Sequence, residues 1–134
     1  MTKMTVKYLG ELRNEATHLP SSMQIITDAP LDNKGKGLSF SPTDLLCSSL
    51  ATCMITIMGI YANEHGVNID GLEAELIKTM AQNPRRVAQV DINFKFPKVN
   101  YSEKEKIALK NAALNCPVAK SIHPDIILNV VFNY

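Results

Sequence analysis

No stretch of this 134-residue chain gathers five or six like charges, and 14 Lys and Arg are matched by 13 Asp and Glu. Phosphate binding needs clustered positive charge, so the sequence argues against nucleic acid as a partner. The opening residues MTKMTVK lack an apolar h-region and a small-residue cleavage site, which points to a cytoplasmic protein. Internal repeats, low-complexity tracts and linkers are lacking too, and the seven prolines fall singly in turns and helix starts. The expectation is one domain, 1–134, of a size that buries a fair fraction of its surface.

Cysteine is scarce. Cys47, Cys53 and Cys116 are an odd set that cannot all pair within one chain, and no two of them stand in a C-x-x-C spacing. A disulfide scaffold, a thioredoxin-like motif and a zinc ribbon are therefore disfavoured, and any disulfide is expected to be transient. His18, His65 and His123 show no metal-ligand spacing and read as solvated or capping residues, although His123 follows Cys116 by seven positions.

What is present is a clear alternation of elements. Val6 and Tyr8 alternate around Lys7, and residues 23–27 (MQIIT) form a β-favouring run after Pro20. Residues 29–41, with Pro30, Gly35 and Gly37, have the composition of a surface loop. Ser41, Pro42 and Asp44 then supply a cap, a first-turn proline and the far end of a capping box. From there Leu46, Leu50, Cys53, Ile57 and Tyr61 recur at helical spacing, widened by Leu45, Met54 and Met58, as far as Gly66.

Residues 45–62 carry no charge, the lower edge of what spans a bilayer. With Ser48, Ser49, Thr52 and Thr56 inside it and no second apolar segment beside it, the segment reads as a buried central helix. No membrane partner is expected. A helix apolar almost all round must be covered on most faces, which suggests burial against a second subunit.

Downstream, residues 72–77 and 89–96 alternate as strands around an Asn83-Pro84 turn. Ser102 and Glu105 open a second helix. Pro117 restarts a short helix after Cys116, and residues 126–134 alternate as a last strand. The expected order is β-β-α-β-β-α-α-β, an α+β domain.

Two cysteines could carry chemistry. Cys53 lies mid-helix among apolar neighbours, where by position alone a packed core thiol is the favoured reading. Cys47, about 120° round the helix, reads as packing. Cys116 precedes a helix start, where unpaired N–H groups and their partial positive charge favour a thiolate; a small capping residue is the plainer alternative. Arg85 and Arg86 read as a solvated turn.

The stretches GKGLSFSPTDLL (35–46), ATCM (51–54) and NCPVAK (115–120) resemble the motifs of the OsmC/Ohr family, and the likeness spans nearly the whole chain. The resemblance implies an OsmC-like fold: antiparallel sheets around a long buried central helix, in an intertwined homodimer whose active sites draw on both subunits. It also implies a thiol-dependent peroxidase acting on organic hydroperoxides. Cys53 would attack the peroxide, Cys116 would resolve it as a Cys53–Cys116 disulfide, and an external dithiol, typically a dihydrolipoyl group, would reset it. No metal, flavin or haem cofactor is expected.

Family enzymes further use an N-terminal arginine, for which Arg13 is the candidate, held by a glutamate beside the helix-opening proline. That glutamate position aligns with Thr43, and Asp44 is displaced by one residue. The departure leaves a second reading open, a redox-responsive or small-molecule-binding protein that kept the fold and lost turnover.

Overall fold

The computed structural model describes all 134 residues, arranged as two compact units, 1–46 and 47–134. The first unit is a three-stranded antiparallel sheet of β1 (Met4–Gly10), β2 (Arg13–His18) and β3 (Met23–Asp28) in that order. Strand β2 has no counterpart in the expected element order. Its sequence, RNEATH, carries no apolar alternation, and the turn before it places Glu11 and Leu12, neither a usual turn residue, at positive φ. What makes it a strand is pairing on both sides, Ala16 facing Val6 in β1 and Ile25 in β3.

The same register gathers Met4, Val6, Tyr8, Met23 and Ile25 on one face, and all five are exposed in the single chain. After β3 the chain passes through a 3-10 turn, Leu31–Asn33, and folds back so that Gly37 donates to the Ala29 carbonyl and Asp28 to that of Phe40. Gly35 sits where a β-carbon would collide with the Ala29 carbonyl, a backbone atom that cannot swing aside. We expect Gly35→Ala to lower the melting temperature measurably; an unchanged melt would show that this loop is not held as described.

Helix α1 (Pro42–His65) starts where the capping box places it: Asp44 N–H donates to Ser41 Oγ at 3.1 Å, and Ser41 N–H donates to the Asp44 carboxylate at 2.8 Å. It ends at Gly66, whose φ of 65° a side chain would resist. By length and composition the helix could cross a bilayer. Its inward face, however, is Cys47, Leu50, Ala51, Met54, Met58 and Ala62, packed into the core of the second unit. That face is rotated from the expected stripe: Leu46 is exposed, and Cys53, Ile57 and Tyr61 lie on the flank. Ser49, Thr52, Thr56, Ile60 and Asn63 are exposed on the side away from the core.

The rest of the second unit is a sheet of β4 (Glu73–Ala81), β5 (Arg86–Lys95) and β6 (Ile127–Asn133), with α2 (Glu103–Leu114) and α3 (Pro117–Ser121) between β5 and β6. Strands β4 and β5 pair antiparallel around Asn83-Pro84, as their alternation indicates. The sheet is mixed rather than purely antiparallel, because β6 runs parallel to β5. The two helices between them provide the long crossover that a parallel pair needs. Val90, Ile92 and Phe94 point into the core against α1 and α2 residues such as Met54, Met58 and Leu109, while Ile77, Ile127 and Val131 stay exposed.

Candidate active site

Cys53 and Cys116 come together although 63 positions separate them. Packing of the core brings Cys53, on the flank of α1 and half-buried, against Cys116, which is fully buried at the start of α3. The two thiols are near enough that Cys53 raises the Cys116 thiol. None of the three cysteines is in a disulfide. Cys47 is buried on the inward face of α1, as a packing residue would be.

The expectation that the helix start would favour a Cys116 thiolate meets an opposing effect. Burial, the largest influence, pushes the Cys116 thiol up; the Ala119 N–H, 3.4 Å from its sulfur, pulls down, the Cys53 thiol pushes up again, and the Val118 N–H pulls down. A dry site penalises the anion more than one short turn of helix can repay. The Cys116 thiol is therefore raised above its ordinary range, chiefly by burial.

In the first unit, Arg13 and Asp28 face each other in register at adjoining ends of β2 and β3. The guanidinium grips the carboxylate through two contacts, Nε to Oδ1 and Nη2 to Oδ2, each 2.8 Å. Asp28 is 3% exposed, whereas the Arg13 side chain is 39% exposed. The Arg13 hydrogen bond and charge hold the Asp28 carboxyl below its ordinary range against the opposing effect of burial, with help from the Leu38 N–H and Lys36. The same carboxylate raises Arg13. Lys36 forms a separate pair with Glu11 at 2.7 Å.

The other acidic and hydroxyl candidates near the helix start are differently engaged. Asp44 closes the capping box, and the Thr43 hydroxyl lies 3.1 Å from that of Ser41. Asp28 was absent from the candidates drawn from the sequence. Its signal was the register of a hairpin whose polar strand, β2, gave no alternation.

A folded-state carboxyl held low contributes stability that is present above the ordinary Asp range, near pH 4, and lost as pH falls through the lowered value. The melting-temperature gap between wild type and Arg13→Ala should accordingly be widest at neutral pH and narrow on acidification below about pH 4. Melts taken across that range check this, and a gap independent of pH would deny the pair any linkage.

His123 accepts the Asp125 backbone N–H at Nδ1 in an exposed turn, 3.8 Å from the Asp125 carboxylate. His18 bonds Ser21, and His65 stacks on Tyr61.

Comparison with known proteins adds the context for this pair of thiols. The chain is 52% identical to a protein of Psychrobacter arcticus 273-4 proposed to be an osmotic stress induced and detoxification response protein; the crystal structure of that protein superposes with a TM-score of 0.94 over 99% of this chain and 96% of its own. The organic hydroperoxide resistance protein OsmC of Legionella pneumophila shares the fold at 15% identity, with a TM-score of 0.78 and coverage of 100% and 97%. OhrB of Bacillus subtilis, an organic hydroperoxide resistance protein, does so at 17% identity, with a TM-score of 0.63 and coverage of 99% and 98%. Curated proteins gave no match. The profile of the OsmC-like protein family covers residues 35–131, from the glycine loop through α1, both cysteines of the pair and most of β6, and the chain belongs to that family.

Proposed function

We propose that the protein is a thiol-dependent peroxidase that reduces organic hydroperoxides, with Cys53 as the attacking thiolate and Cys116 as its resolving partner. The observation that carries this reading is the approach of the two thiols within one core, Cys53 partly buried and Cys116 fully buried. The names of the Legionella and Bacillus relatives, which share the fold, favour an organic hydroperoxide as substrate.

The reaction balances without a cofactor. The Cys53 thiolate attacks one peroxide oxygen, the O–O bond breaks, and the leaving alkoxide takes a proton to become an alcohol. Cys53 is then a sulfenic acid. The Cys116 sulfur attacks it, an S–S bond forms, and water leaves with the Cys116 proton. An external dithiol, of which a lipoyl protein is one source, returns both thiols by exchange and is itself oxidised to a disulfide. Arg13 supplies the cation that orients the peroxide. A cytoplasmic setting, where thiols are kept reduced, suits this cycle.

The working form is a homodimer. Two features favour it: the exposed apolar face of the first sheet, and the exposed side of α1 bearing Thr52, Thr56 and Ile60.

The test is steady-state consumption of cumene hydroperoxide by the purified protein with a dithiol, followed by mass spectrometry of the oxidised chain. Continuous turnover and a 53–116 disulfide are expected. A disulfide that forms once without cycling would favour a redox-responsive protein instead, and no mass change at stoichiometric peroxide would make all three cysteines structural.

A further inference from the structure

We propose that Met4, His18 and Met23 form a binding site for a soft monovalent metal ion, Cu(I) above all, at the open end of the first sheet. Such a site owes nothing to the thiol chemistry above and lies wholly within residues 1–46.

Strand register brings the three together. Met4 opens β1, His18 closes β2 and Met23 opens β3, and His18 is the direct partner of Met4 on one side and of Met23 on the other. Directly opposed residues of antiparallel strands share a face, so two thioethers and an imidazole stand in a row across the sheet. A strand spacing of about 4.8 Å sets the two methionine backbones about 10 Å apart with the histidine midway. Two unbranched side chains with three rotatable bonds each can close that gap over the ring from both sides. Met4 is 65% and Met23 66% exposed, and His18 is exposed as well. The ring is also held: Nδ1 lies 2.6 Å from Ser21 Oγ, which accepts the Met23 N–H at 3.4 Å. That partner orients the imidazole and leaves Nε2 for a ligand, the arrangement common to metal-binding histidines. The Leu19 N–H, 3.2 Å from the Lys3 carbonyl, ties the ends of β1 and β2 beside the row.

The donor set selects the ion. Thioether sulfur and imidazole nitrogen suit Cu(I), whereas Mg²⁺ and Ca²⁺ need oxygen ligands that the row does not offer. The nearest polar side chains on the same strands, Glu15 and Gln24, bond each other at 3.2 Å on the opposite face, as alternation requires. Val6, Tyr8 and Ile25 continue the methionine face toward the β1–β2 turn and are the part left for a second subunit to cover. Spacing along the chain does not announce this set, because only the pairing of three strands assembles it.

The test is a nuclear magnetic resonance titration of the full-length wild-type protein, labelled at the methionine methyls, with silver nitrate. Ag(I) is a soft monovalent ion that stays in one oxidation state and so stands in for Cu(I). Thiolates hold such ions more tightly than thioethers, so the cysteines fill first. After that the Met4 and Met23 methyl signals and the His18 ring signals should move together to one saturation point, while Met80 on β4 stays in place. His18→Asn should weaken this binding by at least about 10-fold, and Ser21→Ala, which frees the ring, by about 10-fold. Met4→Leu keeps the apolar volume and removes the sulfur, so the Met23 signal should then respond only at higher silver. Should a variant fail to fold, the joint titration in wild type decides alone. Methionine and histidine signals that move independently, or not at all once the thiols are filled, would overturn the inference, as would wild-type affinity in His18→Asn.

Discussion

Cys53→Ser brings dithiol-driven consumption of cumene hydroperoxide down to the uncatalysed rate while the protein stays folded. The two halves of that expectation come from different properties of one side chain. Cys53 is half-buried on the flank of α1 rather than inside the core, so exchanging sulfur for oxygen disturbs little packing. Chemically the exchange is total, because the sulfur is the atom that accepts the peroxide oxygen and a serine hydroxyl neither attacks an O–O bond nor forms a sulfenic acid.

The other two cysteines discriminate between the steps. Cys116→Ser should still react once with peroxide, accumulating a chain heavier by one oxygen that a sulfenic-acid trap captures, because only resolution has been removed. Cys47→Ala should cycle, since Cys47 lies six residues back along α1, about 9 Å by helical rise, on the inward face. Turnover that survives in Cys53→Ser would sink the assignment, and loss in Cys47→Ala would redirect it to the buried thiol.

The parts of this site differ in how openly the sequence declares them. Ser41, Pro42 and Asp44 marked the start of α1 because capping is local chemistry, read over four residues. Gly66, Ser102 and Glu105 were legible for the same reason. The inward face of α1 was not, because a helix that is apolar almost all round carries no contrast to show which side meets the sheet. That ambiguity made a core thiol the favoured positional reading of Cys53, and only packing places it on the flank. Strand β2 was illegible because RNEATH has no period of two, and with it went the register that sets Arg13 opposite Asp28. The parallel entry of β6 is likewise a property of the crossover and not of the strand, whose alternation is the same in either direction.

The helix-start argument at Cys116 shows the limit of a purely local reading. The Ala119 N–H is where that argument puts it, yet burial outweighs it, and burial is a property of the whole core. In resolution the Cys116 proton has to leave as the sulfur attacks, and it departs with the water formed from the sulfenic acid. Thr43 is a similar case. The missing glutamate suggested an arginine without an anchor, but carboxylates at different positions along the chain can meet the same guanidinium once the backbone is folded, and here Asp28 does so.

Phe94→Ala should be among the most destabilising single substitutions in the chain, costing about 3–5 kcal/mol. The ring is fully buried on β5, its centroid 5.3 Å from that of Phe132 on the parallel strand β6, with α1 and α2 residues above it. Removing it deletes apolar area and leaves a cavity that a sheet, pinned on both sides by its ladders, cannot collapse to fill. Domains of this size have roughly 5–15 kcal/mol in total, so the variant loses a large part of its stability. Urea unfolding measures it: the midpoint should fall with little change in slope. Ile77→Ala, at an exposed position on the outer face of β4, is the control and should stay within about 0.5 kcal/mol. The loss matters for chemistry because the core that Phe94 fills also holds α1 and α3 in place, and with them the two thiols. Peroxide turnover in Phe94→Ala should therefore fall away at lower temperature than in wild type, tracking the unfolding curve. A Phe94→Ala midpoint equal to that of Ile77→Ala would mean that the sheet's inner face does not carry the core.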